Sequence, residues 1–141
     1  VLNPDELIHA HGADVSRLAL LFGRPWDDDG DFNPSAVQGV ERFLGKVWRL
    51  VLDGRWGEDG PAVDWAVSQV TTRIDEMRFH TALSALMELV AVLRRDGISD
   101  RGRRTLVLLL APLAPYVAEE LWSRLGQPFS VHTCPWPAPT A

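Results

Sequence analysis

Three basic residues, Arg42, Lys46 and Arg49, follow one another at spacings of four and three residues in this 141-residue sequence. On an α-helix that spacing brings the three side chains within roughly 60° of one another. A row of cations on one helix face can follow the phosphates of a nucleic-acid backbone. A charged face that only contacts solvent has the same spacing, so the pattern alone leaves both interpretations open.

Other residues that carry chemistry do not form recognisable sets. His9 and His11 lie two residues apart and would point to different sides of a helix, and the adjacent Glu119 and Glu120 would diverge by about 100°. The sequence contains no G-x-x-x-x-G-K-[ST] phosphate loop and no G-x-G-x-x-G dinucleotide motif. Cys134 is the single cysteine, so neither an internal disulfide nor a cysteine-based zinc site is expected. The sequence therefore predicts no catalytic residues and no metal site.

The basic row of Arg42, Lys46 and Arg49 lies within a predicted amphipathic helix. Asn33 can accept hydrogen bonds from the first amide groups, and Pro34 suits the first helical position. Apolar residues at helical spacing gather on the face opposite the basic row; they are Val40, Phe43, Leu44, Val47, Leu50 and Val51. We therefore predict a helix from Pro34 to about Gly54 that buries its apolar face.

Helical periodicity recurs along the rest of the chain. Two short helices are expected before the loop of residues 23–31, the second capped by Asp14. Later helices are expected from Gly60-Pro61, from Ala82 after a break at His80-Thr81, from Arg103, and up to Gly126. No strand pattern of useful length is present. The predicted fold class is an all-α antiparallel helix bundle with short connections.

The net charge is the opposite of what nucleic-acid-binding domains usually carry. It is −5, with acidic residues concentrated at 27–31 and 58–59. Cations concentrate on the basic row and around a predicted turn that holds Arg94, Arg95, Arg101, Arg103 and Arg104. Because the distribution of charge matters more than its sum, RNA binding stays possible, but we expect it to be weak for this chain alone.

Nothing in the composition points to a membrane. No apolar run approaches the roughly 18 residues that a membrane span needs. Residues 1–10 also lack the charged leader and apolar core of a signal peptide. A single cysteine suits a reducing compartment, so we expect a cytoplasmic protein without a membrane partner.

The stretch RFLGKVWRLV at residues 42–51 resembles the first long helix of the anticodon-binding domain of bacterial leucyl-tRNA synthetases. Three further blocks resemble the same family in the same order: NPDELI with GAD-x-x-RL at residues 3–18, RFHTALSALMELV at 78–90, and LLAPLAPYVAEELW at 109–122 with CPWP at 134–137. The run MEL at 87–89 and the run APLAP look leucyl rather than valyl or isoleucyl. His80 departs from the Asn of many relatives, and either residue can cap a helix or form a hydrogen bond.

The resemblance implies a helical bundle of the class Ia synthetase type. Residues 1–30 would be a stem-contact segment and linker that follows the KMSKS loop of the catalytic core, residues 31–126 the anticodon-binding bundle, and residues 127–141 a proline-rich C-terminal strap. Apolar residues of the first segment, among them Leu18, Leu21 and Phe22, would lose cover without that core. We expect them to fold back on the bundle or to contact a second molecule.

The implied parent is a leucine–tRNA ligase that uses ATP and Mg. The catalytic core of that enzyme would be a partner of this piece. The resemblance implies that Arg42, Lys46 and Arg49 bind tRNA, the leucine isoacceptors, by shape and backbone rather than by base reading. The HIGH and KMSKS signatures are absent from the chain, so the piece itself is expected to be inactive and to bind no cofactor.

Two alternatives remain at this point. One is the same domain from a valyl, isoleucyl or methionyl enzyme, since these carry similar helices. The other is a stand-alone helical protein-interaction module, for which the acidic charge would be an advantage and the basic row incidental.

Overall fold

The computed structural model describes residues 3–22, 24–25 and 27–140, and every regular element in them is helical. The elements are α1 (Pro4–His11), α2 (Ala13–Leu21), α3 (Ser35–Asp53), α4 (Pro61–Asp75), α5 (Phe79–Asp96), α6 (Asp100–Leu110), α7 (Pro115–Arg124) and a 3-10 turn (Val131–Thr133). Helices joined by short turns pack on each other, α4 on α5 most extensively. The predicted all-α helix bundle is confirmed.

The long helix α3 forms for the reasons that the sequence predicts. Asn33 Oδ1 accepts hydrogen bonds from the backbone N–H of Ser35 at 3.0 Å and from its hydroxyl at 2.7 Å. The apolar face is fully packed, and both Val40 and Val47 have no exposed surface. At the other end, the Gly54 N–H donates to the Leu50 carbonyl at 3.0 Å. The helix thus has one buried face, and its opposite face is free to carry charge.

An arginine from α6 completes the C-terminal end of α3. The Arg103 guanidinium donates to the carbonyls of Leu50 at 3.1 Å and Gly54 at 2.7 Å, and also to that of Val51. The Val51 and Gly54 carbonyls lie where the donors of the helix run out, so the bonds to them satisfy acceptors that would otherwise need water. They also fix α3 relative to α6.

The N-terminal segment folds back on the bundle, which is one of the two outcomes that the sequence predicts for it. Helix α2 packs against α3 and α7. Leu18 is fully buried and Leu21 half-buried, so neither lacks cover, whereas Phe22 keeps 38% of its surface exposed. The polar cap of this segment differs from the prediction. Asp14 does not cap its own helix α2, whose preceding residue Gly12 provides no side chain.

Two other helix starts also differ from the sequence prediction. Helix α5 begins at Phe79 and includes His80 and Thr81 without a break, because the turn that ends α4 uses Met77 at φ +57°. The Nδ1 atom of His80 is buried without a hydrogen-bond partner in the described part of the chain. Helix α6 begins at Asp100, three residues earlier than predicted, because Ser99 Oγ accepts the Gly102 N–H at 2.9 Å.

The C-terminal residues run back over the bundle in extended form. Trp136 Nε1 donates to Thr71 Oγ1 at 2.8 Å, and the Thr140 N–H donates to Asp64 Oδ1 at 3.0 Å. Both acceptors lie on α4, so these two bonds hold the C-terminal residues against the bundle. No helix among the described residues has both the length and the apolar character needed to cross a bilayer.

Candidate nucleic-acid interface

A continuous groove runs between α3 and α5. One cavity of about 300 Å³ is lined by Phe22, Gly39, Arg42, Phe43 and Lys46 on one side and by Met87, Val90, Ala91 and Arg94 on the other. A second cavity of about 280 Å³ is lined by Lys46, Arg49, Leu50, Asp53, Gly54 and Arg55, facing Leu93 and Arg94. Lys46 and Arg94 line both cavities, so the two form one surface, which we call the α3–α5 groove.

The three predicted residues lie together along the α3 side of this groove. Arg42, Lys46 and Arg49 are all exposed, while Val47 between them is buried. The Arg42 Nε donates to the Gln38 carbonyl at 3.4 Å, one turn earlier on the same helix. The Arg49 guanidinium lies over Gly45, since a Cβ built on that glycine would be 3.5 Å from Arg49 Nη1. The structure therefore brings the basic row to the edge of a concave surface.

Two further cations also line the groove. The residue spacing on α3 did not reveal them. Arg94 comes from α5, where it continues a helical face with Met87, Val90 and Ala91. That periodicity was readable from the sequence, but the packing of α5 beside α3 was not. Arg55 follows the end of α3 and donates from Nη2 to the Arg95 carbonyl at 2.7 Å, which ties its position to α5.

The groove cations have no acidic partners among the residues that the structure describes. No carboxylate oxygen lies within 4.0 Å of the basic nitrogens of Arg42, Lys46, Arg49 or Arg94 there. The described lining contains five cations and one carboxylate, that of Asp53. A protein with net charge −5 thus presents a locally positive concave surface, and concave surfaces lined by one sign of charge concentrate oppositely charged ligands.

The second cation cluster expected from the sequence is not a cluster in the structure. Arg95 Nε pairs with Asp96 Oδ1 at 2.9 Å on α5, and this ion pair lowers the pKa of the Asp96 carboxyl. The Arg103 guanidinium donates its hydrogen bonds to the carbonyls at the end of α3. Of the five arginines around the predicted turn, only Arg94 lines the α3–α5 groove among the described residues.

Arg101 belongs to an ionic network whose residues do not line the α3–α5 groove. Its guanidinium lies 3.3 Å from Asp59 Oδ2 and 2.7 Å from Asp64 Oδ1. Hydrogen bonds from Thr140, first from its hydroxyl and then from its backbone N–H, together with the bond from Arg101, lower the pKa of Asp64 to about 2. This network of one guanidinium and two carboxylates anchors the C-terminal residues and neutralises the Arg101 charge within the chain.

Catalytic or metal-binding chemistry finds no support in the described ranges. No group of three or more His, Cys, Asp or Glu side chains there has the proximity needed to hold a metal ion. The candidate site is the α3–α5 groove, whose five cations and one carboxylate suit it to binding an anionic ligand.

Comparisons with known proteins identify the domain. Residues 63–141 match the family model described as the anticodon-binding domain of tRNA ligase. The leucine–tRNA ligase of Trichormus variabilis is 40% identical over 96% of this chain and 18% of its own length, and that of Dehalococcoides mccartyi is 34% identical over 97% and 19%. The chain spans about a fifth of the length of these curated relatives.

Two solved structures agree with the sequence relatives. The Agrobacterium radiobacter K84 agnB2 LeuRS–tRNA–LeuAMS ternary complex matches with a TM-score of 0.83 and 26% identity, over 98% of this chain and 21% of the LeuRS chain. The apo methionyl-tRNA synthetase of Mycobacterium tuberculosis matches with a TM-score of 0.66 over 91% of this chain and 35% of its own, and at 22% identity it shares the fold. The resemblance to bacterial leucyl-tRNA synthetases is confirmed, and the chain belongs to the anticodon-binding domain family of tRNA ligases.

Proposed function

We propose that this chain is the tRNA-docking part of a leucine–tRNA ligase and that the α3–α5 groove binds the sugar–phosphate backbone of the tRNA. The complete ligase is a cytoplasmic enzyme that joins leucine to its tRNA with ATP. Mg serves that reaction at a site outside this chain. Within the complete ligase the catalytic core is the partner of the α1–α2 segment. The chain itself contributes binding and orientation.

The exposed, unpaired cations of the groove are the observation that carries this proposal. Among the described residues, Arg42, Lys46, Arg49 and Arg94 form no ion pair, although Arg42 Nε donates to the Gln38 carbonyl. Arg95 and Arg101, by contrast, bind carboxylates of the same chain. Guanidinium groups bind phosphate oxygens in a bidentate manner. Binding to the backbone fixes the position of a nucleic acid without reading its sequence, which suits a docking surface.

The sequence relatives favour leucine over other amino acids as the substrate of the complete ligase. Leucine–tRNA ligases are 34% to 40% identical to this chain over nearly its whole length. The methionyl enzyme supports only a common fold. The tRNA in the matched LeuRS complex is that protein's ligand, and it suggests leucine tRNA as the first probe for this chain.

Reversing two groove charges tests the proposal. In the Arg42→Glu, Lys46→Glu variant we expect leucine tRNA affinity to fall about ten- to hundredfold at roughly 50 mM salt, because two phosphate contacts are lost. The slope of log affinity against log salt should fall by about 0.7 to 0.9 for each lost contact. Fluorescence anisotropy of labelled tRNA across a salt series measures both quantities.

Arg104→Glu is the matched control for charge. Arg104 is exposed on α6 and lines neither cavity of the groove, so each reversal changes the net charge by the same amount at a different place. We compare it with Lys46→Glu alone. Equal affinities for these two variants, or a wild-type salt slope in the double variant, would count against the groove as the tRNA site.

A further inference from the structure

Trp56 is an exposed aromatic side chain at one end of the α3–α5 groove. It follows Arg55, which lines the groove, and 62% of its surface is accessible to solvent. Large aromatic side chains usually bury most of their surface when nothing binds them. The position of Trp56 beside a cationic groove therefore calls for a physical reason.

The backbone on both sides of Trp56 is held in place by the loop between α5 and α6. The Ile98 N–H donates to the Arg55 carbonyl at 2.8 Å, and the Gly57 N–H donates to the Ile98 carbonyl at 3.4 Å. Ile98 is itself fully buried. These contacts join the two loops as a short backbone pair and leave Trp56 little freedom to move away from the surface.

Two glycines allow the loops to approach so closely. A Cβ built on Gly57 would lie 2.5 Å from the Asp96 carbonyl oxygen, and one on Gly97 would lie 2.8 Å from the Trp56 carbonyl oxygen. Gly97 also has φ +98°, which side chains other than glycine's rarely adopt. The sequence thus uses two glycines to fix the backbone of an exposed tryptophan.

We propose that Trp56 stacks on an unpaired nucleobase of the bound tRNA while groove cations hold the adjacent phosphates. Because the backbone at Trp56 is already held, only side-chain freedom is lost on binding, and every nucleobase offers a face for stacking. Nucleic acid is favoured over a protein partner because the neighbouring groove carries five cations against the single carboxylate of Asp53. This inference rests on the proposed function of the groove.

Substituting Trp56 tests the stacking with leucine tRNA as the probe. Trp56→Leu is expected to weaken binding by about five- to hundredfold, and Trp56→Phe by less, because phenylalanine retains a smaller stacking face. The salt slope should stay at the wild-type value in both variants, since no phosphate contact is removed. Trp65→Leu is the control, because Trp65 is 37% exposed on α4 and lines neither cavity.

A second measurement separates stacking from charge and from unfolding. Oligouridylate and an abasic ribose-phosphate oligomer of equal length carry the same charge, and Trp56→Leu should weaken binding of the first only. Equal weakening of both oligomers, or wild-type tRNA affinity of Trp56→Leu when the Arg42→Glu, Lys46→Glu variant is weakened, would overturn the stacking proposal and leave the groove standing. Wild-type tRNA affinity in both variants would overturn the two proposals together.

Discussion

Arg103 and Arg104 are adjacent arginines with different roles, and the difference comes from their surroundings. Arg103 donates to three carbonyls at the end of α3, whereas Arg104 is exposed. The sequence predicts the exposed row on α3 because helical spacing alone determines which face opposes the apolar residues. It does not predict that Arg103 is structural or that Arg94 lines the groove, since both depend on contacts between helices distant in the chain.

The contribution of single residues can also be tested in the Asp64 network, through the loss of folding stability at acid pH. Hydrogen bonds from Thr140 and Arg101 lower the Asp64 pKa from 3.8 to about 2. A carboxyl whose pKa is lower in the folded state stabilises the fold above its unfolded pKa, and the contribution is lost as the pH falls from about 4 towards 2. In Asp64→Asn we therefore expect a shallower loss of stability over that range.

Urea unfolding at a series of pH values between neutrality and pH 2 measures this effect. Asp75→Asn is the control, because Asp75 is exposed and forms no ion pair in the described part of the chain. An acid profile of Asp64→Asn that parallels the profile of Asp75→Asn would contradict the assignment.

At the scale of elements, α7 begins where a buried side chain from α2 meets it. Asp14 is 5% exposed and accepts the N–H of Tyr116 at 3.3 Å and that of Val117 at 2.6 Å. Its carboxylate therefore caps α7, 102 residues away in sequence, rather than α2. The cap of α3 can be read from the sequence because Asn33 binds an N–H only two residues away. A cap between distant segments cannot be read from spacing.

Removing that cap should destabilise the whole bundle, because α2 and α7 are both packed in the core. We expect Asp14→Ala to lower the free energy of unfolding by about 1–2 kcal/mol, since the part-buried N–H groups of Tyr116 and Val117 lose their acceptor. Asp14→Asn keeps one acceptor oxygen and should cost less. Chemical denaturation of the three proteins measures the order. An alanine variant as stable as the wild type would show that Asp14 does not hold α7.

At the scale of the whole molecule, the charge is divided between a positive groove and an acidic loop near one end of it. Phe22 lines the groove just before that loop, and Gly39 lines it just after. Asp27 and Asp28 in the loop are exposed and have no ion pair in the parts that the structure describes. The net charge of −5 predicts weak RNA binding from composition, but it does not reveal that the chain enters this acidic loop just after Phe22, which lines the same cavity as Arg42.

Neutralising the loop should therefore strengthen tRNA binding. Two like unit charges that are about 15 Å apart in water repel by a few tenths of a kcal/mol at low salt, and each loop carboxylate within that range of a bound phosphate adds such a term. Asp27→Asn with Asp28→Asn should raise leucine tRNA affinity about two- to fivefold at low salt, with the gain disappearing near 1 M salt, where the screening length is about 3 Å. Asp75→Asn with Asp100→Asn changes the net charge equally at exposed sites away from the groove lining. The same gain in that control would mean that tRNA responds to the total charge of the chain and not to the field at the groove.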